Sequence, residues 1–562
     1  MKFNEMPYDR IDIEAVKAVY AELTEKVKNA ASADEIFSAV EAHEKQLSHY
    51  VTMSTISYVH NSIDTRDEYW NEEKNFYDQN GPVADEAINA FSMALLESKF
   101  RPELEKKLGE VFFTNLEMEV KTFSPDIVAD LQKENALVSE YQKLYSSASI
   151  EFEGQKRNLS QISAFYENPD RELRKKAYNA YGGFFAENKA EFDRIYDELV
   201  KCRHTIAKKL GYENFIPVGY LRRKRIGYDE KMISAFREQI VNDIVPIVCE
   251  LKKQQAERCG ISDPKLYDDV FKFPNGNPKP VGTAEELLQK GREMYHEMSP
   301  ETKEFIDFMY DNDLLDVLAK DGKAPGGYST SIPDHKATFI FSNFNGTAGD
   351  VDVLTHEAGH SYAAYRVRDL DILELHSPGL ESCEVHSMTM EFNSWPWYNS
   401  FYGDDAERAR YAHLAGALVF LPYGTMVDHF QHIIYEHPEL TPDQRNEEWL
   451  KLEKIYRPYI DLADIPCFSA GAGWQRQLHI YHYPFYYIDY CLAQTVALEF
   501  WSMIQSEGSE KAWKCYNDFV ALGGTKTFVE LCQAGGVKSP FEDGALAGVG
   551  KEVKEYLAKH TF

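Results

Sequence analysis

The stretch Val353-Leu354-Thr355-His356-Glu357-Ala358-Gly359-His360-Ser361-Tyr362 lies inside a longer helical pattern, and its reading decides what surrounds it. Two histidines four residues apart project from one helix face, so both imidazoles can reach a single metal ion. Zinc suits them, because it accepts neutral imidazole nitrogen in a tetrahedral shell. Glu357 is displaced around the helix toward the open side of such an ion, where it takes a proton from water instead of ligating. The bland alternative is a polar face with two solvated histidines. Val353, Leu354, Ala358, Tyr362 and Tyr365 weigh against it by giving the helix an apolar majority. Gly359 costs a helix about 1 kcal/mol against alanine and marks a close-packing position.

Upstream, Gly326-Gly327-Tyr328 precedes Ala337-Thr338-Phe339-Ile340-Phe341-Ser342-Asn343. This β-branched and aromatic run predicts a strand that ends at an Asn345-Gly346 turn. Downstream, after Ser377-Pro378-Gly379, the chain reads as a second helix from Leu380 to Phe392. Glu381, Glu384, Met388 and Glu391 share one face of it. Carboxylates in a segment this rich in Met, Phe and Trp need a cation or hydrogen-bond partners. A catalytic zinc takes three protein ligands and keeps a fourth position open, and Glu384 is the expected third, with Glu381 and Glu391 orienting the histidines. Spacing alone leaves Glu381 and Glu384 both open. Cys383 and His386 point elsewhere and read as packing groups or as groups that support the ligands from behind.

A third region, Phe468-Ser469-Ala470-Gly471-Ala472-Gly473-Trp474, reads as a loop and leads into His479. His479, Tyr483, Tyr486 and Tyr490 fall at i, i+4, i+7 and i+11, one helical face. Phe485 and Ile488 read as core. A row of buried polar-tipped rings needs partners and suggests a lined cleft.

Outward from these regions the chain is mainly helical. Ile13, Val16, Val19, Tyr20, Leu23 and Val27 recur at helical spacing. Similar patterns run through 35–75, 83–118 and 126–145, with a break expected at Asn80-Gly81-Pro82. Ala148 to Ile162 alternates around Glu153-Gly154 and predicts a small hairpin. The fold class expected is mainly α, with a small β-sheet beside the histidine helix. A helical N-terminal domain is expected over 1–200 and a catalytic domain over 201–562.

The whole-chain arithmetic fits that frame. At 562 residues the chain is long enough for several packed units. Asp and Glu number 91 against 61 Lys and Arg, a net charge of -30. Such a surface repels phosphate backbones and anionic membranes, so no nucleic-acid or membrane partner is expected. The longest apolar stretch, Leu414 to Tyr423, is too short to span a bilayer. The opening residues carry no apolar signal region, and eight scattered cysteines read as reduced thiols. A cytoplasmic location is expected.

His356-Glu357-x-x-His360 followed by Glu384-x-x-Ser387 resembles the thimet oligopeptidase and oligoendopeptidase F family of zinc metallopeptidases, most closely its Pz-peptidase branch. Gly326-Gly327-Tyr328-Ser329 and Phe344-Asn345-Gly346-Thr347 are similar to that family's approach to its zinc helix. The likeness is close over 200–562 and looser before it. It implies His356, His360 and Glu384 as ligands of Zn2+, Glu357 as general base, and a zincin-like fold with a deep substrate channel between two lobes. It also implies that His479, Tyr486 and Tyr490 donate hydrogen bonds to the tetrahedral oxyanion, with Tyr487 nearly equivalent because Pro484 blurs the register.

The function expected is cleavage of internal bonds in short oligopeptides: a hydrolase, a metalloprotease acting in peptide degradation. Gly326, Gly327, Tyr328, Tyr483 and Tyr487 are expected to contact substrate. The strand Ala337–Asn343 is expected to pair with the peptide backbone along its edge, and the glycine loops to close over it. The neighbouring alternatives are a helical zinc carboxypeptidase or dipeptidyl carboxypeptidase, which need a fixed cation for the substrate's C-terminal carboxylate, and a non-catalytic peptide-binding protein. Neither that cation nor the oligomeric state is legible in the sequence.

Overall fold

The computed structural model describes all residues except Asp321, Pro325, Asn345, Gly346, Thr347 and Thr561. The expected Asn345-Gly346 turn and most of Phe344–Thr347 therefore lie outside the described residues. The fold is mainly α, as the patterning predicts. The described chain forms two compact units, each discontinuous in sequence. One comprises 1–125, 279–406 and 496–539; the other comprises 126–278, 407–495 and 540–562. These units do not coincide with the consecutive segments 1–200 and 201–562, because contacts between distant segments leave no local pattern in the sequence.

In the first unit the opening helix Ile13–Lys28 starts on Asp12, whose side chain accepts from the amides of Glu14 and Ala15. Its buried face is Ile13, Val16, Tyr20, Leu23 and Val27, while Val19, assigned to that face by spacing, is exposed. The helix Glu68–Leu96 runs straight through Gly81-Pro82, where a break is expected. A proline inside a helix costs about 3 kcal/mol, so the long-range packing of Tyr77, Ala84, Phe91 and Leu95 outweighs the local signal here.

The first unit also carries a three-stranded sheet in the order β3 (Leu315–Leu318), β5 (Ala337–Phe344), β4 (Tyr328–Ile332). β5 runs parallel to β3 and antiparallel to β4, with Tyr328 opposite Phe341 and Ile332 opposite Ala337. This corrects the expected role of the Ala337–Asn343 strand. It is the central strand, with hydrogen-bonding partners on both sides, and the edges belong to β3 and β4.

In the second unit, β1 (Ile150–Phe152) and β2 (Gln155–Arg157) form the expected hairpin. Glu153 and Gly154 both have positive φ, at 50° and 74°, the backbone of a two-residue primed turn. An aromatic core sits nearby: Tyr141 stacks on Tyr481 at 3.8 Å, and Tyr481 stacks on Trp474. Arg203, fully buried, is held by Glu134 at 2.7 Å and by the Tyr435 hydroxyl. The helix Ala406–Glu436 continues through Pro422. No helix among the described residues is long and apolar enough to cross a membrane.

Candidate active site

The helix Ala348–Val367, hereafter the motif helix, packs between the sheet and the helix Leu380–Asn393, hereafter the glutamate helix. Gly359 explains how close the two helices come. A β-carbon there would stand 2.7 Å from both the His386 carbonyl oxygen and the Ser387 Cα. Only glycine lets the backbones meet at that distance. The approach brings Glu384 Oε2 to 3.3 Å from His356 Nε2 and 3.5 Å from His360 Nε2.

These separations suit a zinc shell. Ligand atoms about 2.0–2.1 Å from a tetrahedral ion stand roughly 3.3–3.4 Å apart. Two imidazoles and one carboxylate, their ligand atoms all within 4.8 Å of one another, are also a common catalytic zinc donor set. The Ser387 hydroxyl donates to Glu384 Oε2 at 3.2 Å, which gives the Glu-x-x-Ser spacing a physical meaning: the serine orients the carboxylate one turn before it. His356 Nδ1 meets Glu391 Oε1 at 2.7 Å, leaving Nε2 to face the cluster. Glu381, left open by spacing, folds against Gly379 instead and is not in the group.

The electrostatics follow from burial and neighbours. Burial opposes ionisation of Glu384, and the two imidazoles overcome it, holding its carboxyl well below the ordinary value. Glu357 is pushed above its ordinary value by burial, with the imidazoles pulling the other way. Burial drives His386 down to about 3, so it stays neutral. It packs edge-on to Phe519 while its carbonyl accepts from Tyr516.

The glycine loop lies beside Glu357. A β-carbon at Gly327 would sit 3.3 Å from the Phe341 carbonyl oxygen and 3.8 Å from Glu357 Oε1. Gly326 has φ +94°, and its carbonyl accepts from the Asn343 amide. Tyr328 opens β4 and stacks on Phe341 at 4.9 Å. Ser329 and Ser361 hydroxyls meet at 2.7 Å, tying β4 to the motif helix. None of this pinning was visible in the sequence.

A second similar cluster exists in the first unit. His43, Glu44 and Glu374 also group within 4.8 Å, but the groups already engage one another. His43 Nδ1 meets Tyr20, its Nε2 meets Glu374, and Glu44 accepts from the Leu373 amide.

His479 and its tyrosines belong to the second unit. The single helical face expected there is not formed. One short helix ends at His482, and the next begins at Tyr487. Between them Phe485 is buried with φ 66°, a left-handed conformation rare for a bulky residue. Gln431 accepts from its amide, Arg225 donates to its carbonyl, and its ring lies where a β-carbon on Gly219 would clash at 2.4 Å. These distant partners hold the turn, so local periodicity could not reveal it.

The turn gathers the rings all the same. Tyr486, Tyr487 and Tyr490 stand 5.7, 5.0 and 5.6 Å from His479, centroid to centroid. Tyr483 is exposed, beside Tyr486. Gln477 Nε2 meets His479 Nδ1 at 3.0 Å, and the Tyr423 hydroxyl donates to Gln477 Oε1 at 3.0 Å. An amide donor at Nδ1 leaves the ring proton on Nε2, which Tyr490 approaches at 3.4 Å.

Comparison with known proteins places the chain in a family. Residues 3–123 match the peptidase M3 N-terminal domain, and residues 164–551 match peptidase family M3. Oligoendopeptidase F of Lactococcus lactis subsp. cremoris is 24% identical over 74% of this chain and 67% of its own. The structure of Pz peptidase A with an inhibitor superposes with a TM-score of 0.96 at 45% identity, covering 100% of this chain and 99% of that one. A structure from Bacillus anthracis str. Ames assigned as oligoendopeptidase F gives 0.91 at 43% identity, covering 100% and 98%.

Proposed function

Because this chain belongs to peptidase family M3, of the oligoendopeptidase F type, we propose that it is a zinc-dependent endopeptidase cleaving internal bonds of short oligopeptides. The observation that carries the reading is the convergence of His356, His360 and Glu384, with Glu357 on the same helix. His356, His360 and Glu384 are the residues that would hold zinc. A zinc ion polarises a carbonyl and lowers the pKa of water toward about 7.

The chain's own groups supply the rest. Glu357 takes the proton of the attacking water and passes it to the leaving amine. Burial, which raises its affinity for a proton, suits it to both halves of that task. His479, with its proton on Nε2, and Tyr486 and Tyr490 donate to the oxyanion, an effect worth about 3 kcal/mol for a well-placed donor. Tyr483 and Tyr487 contact the peptide. Gly326 and Gly327 admit its backbone, and edge pairing falls to β4, which begins at Tyr328 and is an outer strand of its sheet. A cytoplasmic location belongs to the same proposal, supported by eight cysteines that form no disulfide among the described residues.

The test is cleavage-site mapping on a peptide mixture and on a C-terminally amidated peptide, with metal analysis before and after chelation. One zinc per chain, internal cuts in the amidated peptide, and loss of both zinc and activity to the chelator are expected. Cuts confined to free C-termini would make the chain a carboxypeptidase, and metal-free protein that cleaves at full rate would end the proposal.

A further inference from the structure

The second unit contains a cavity of about 320 Å³ whose charge runs against that of the whole chain. Its walls carry Lys252, Arg258, Lys272, Arg457 and Arg476, although the chain's net charge is -30. Two of the five are neutralised locally. Lys252 pairs with Asp269 at 2.7 Å, and Arg457 pairs with Glu453 at 3.1 Å. Asp269 is thereby engaged, and the other acid lining the cavity, Glu167, is exposed.

Arg258 and Arg476 are different. Among the described residues neither makes an ion pair with a carboxylate. Arg258 donates to the Lys272 carbonyl and the Tyr411 hydroxyl and lies over the rings of Phe273 and Tyr411. Arg476 donates to the Tyr423 hydroxyl at 3.1 Å and lies between the rings of Tyr423 and Phe468. Its Nε is buried with no hydrogen-bond partner. A guanidinium held by rings and hydroxyls keeps its fork geometry and its full charge, the form that binds carboxylates in bidentate fashion.

The cavity is also wired to the residues assigned to the oxyanion. Tyr423 lines it and links Arg476 to Gln477, which in turn holds His479 Nδ1. The three links run in one direction, each donor passing to the next acceptor and ending on His479.

We infer that this cavity is a substrate subsite that binds a peptide carboxylate, with Arg476 and Arg258 as its specificity-determining residues. The inference rests on the reading of His479 as a substrate-facing group. The carboxylate comes either from a peptide C-terminus or from an Asp or Glu side chain, and the experiment separates the two.

Steady-state kinetics would compare two kinds of peptide pair on the zinc-loaded chain: one sequence with a free or an amidated C-terminus, and one amidated sequence with Glu or Gln at a position scanned around the cut. The native chain is expected to favour the carboxylate member of at least one pair by about tenfold or more in kcat/KM, chiefly through KM, as charge-assisted hydrogen bonds allow. The favoured pair identifies the source. Arg476→Gln and Arg258→Gln should each bring that ratio toward one. The ratio is the readout because Arg476→Gln also disturbs His479 through Tyr423 and slows both members alike. Among the described residues Arg258 has no such link, so its variant keeps the test valid where the other loses rate.

Ratios near one in both pairs for the native chain, or ratios unchanged in both variants, would overturn the subsite. If the chain cleaves no peptide, the proposed function falls instead. Fluorescence anisotropy of dye-labelled acid and amide peptides then still decides the subsite, since it requires binding and no turnover.

Discussion

Glu391 and His356 face each other across two helices, Oε1 to Nδ1 at 2.7 Å. That contact fixes which imidazole nitrogen turns toward Glu384, so the glutamate acts on the cluster without belonging to it. A partner of this kind tunes both the orientation and the basicity of a ligand.

Glu391→Gln should keep the fold and weaken zinc affinity by about 10–100-fold. Competition against a chromophoric chelator measures this directly. Unchanged affinity would show that the backbone alone orients His356.

Glu357→Gln separates holding the metal from using it. The variant should retain zinc and lose about 10²–10⁴ in kcat, the range for a positioned proton-transfer group. Zinc content and kcat on one fluorogenic peptide are sufficient. Normal turnover with bound zinc would remove Glu357 from the mechanism.

Glycines offer a matched pair. At Gly359 a methyl group would press on the backbone of His386 and Ser387 at 2.7 Å, so Gly359→Ala should destabilise by about 1–3 kcal/mol, as overpacking does. At Gly183, inside the helix Arg171–Glu187, a β-carbon meets nothing within 4 Å. Gly183→Ala should therefore stabilise by about 0.5–1 kcal/mol. Urea unfolding of the two variants checks the contrast, and equal effects would mean that the helix approach is softer than its geometry.

Acidity enters through Glu44. Burial first, then the charge of Glu374, pushes its carboxyl up to about 9 from 4.5. Between those values the folded chain keeps a proton that the unfolded chain has released, so this group's contribution to stability is full below pH 4.5 and lost as pH rises toward 9. Glu44→Gln, permanently uncharged, should remove that slope. Tm measured at pH 5, 7 and 9 should show the native protein losing ground to the variant as pH rises. A difference independent of pH would mean that Glu44 holds no extra proton.

Much of the local chemistry was legible in the residues. The histidine spacing and the Glu153-Gly154 turn act over one or two turns of backbone, so their meaning is carried by neighbours in sequence. Gly359 reads as a close-packing position, but its partners, the His386 and Ser387 backbone, lie on another helix. What escaped depends on distant partners. Pro82 reads as a break but lies inside a helix because packing outweighs the missing hydrogen bond, and Pro422 lies inside a helix in the same way. The Ala337–Asn343 run reads as a strand with an edge to offer because its partner Leu315–Leu318 is a four-residue strand with little pattern of its own. The turn at Phe485 depends on Gln431 and Arg225, residues far away in the chain. A tyrosine row read as one helix face is instead folded around His479 by that turn.

The close approach at Gly359 also limits how the five-residue signature travels between proteins. Grafting His-Glu-x-x-His alone into another helical scaffold would reproduce two imidazoles and a neighbouring glutamate, yet a side chain at the position of Gly359 would hold a second helix packed as it is here away from them. In this architecture that glycine is part of the signature, and a designer borrowing the centre must borrow the neighbouring backbone along with it.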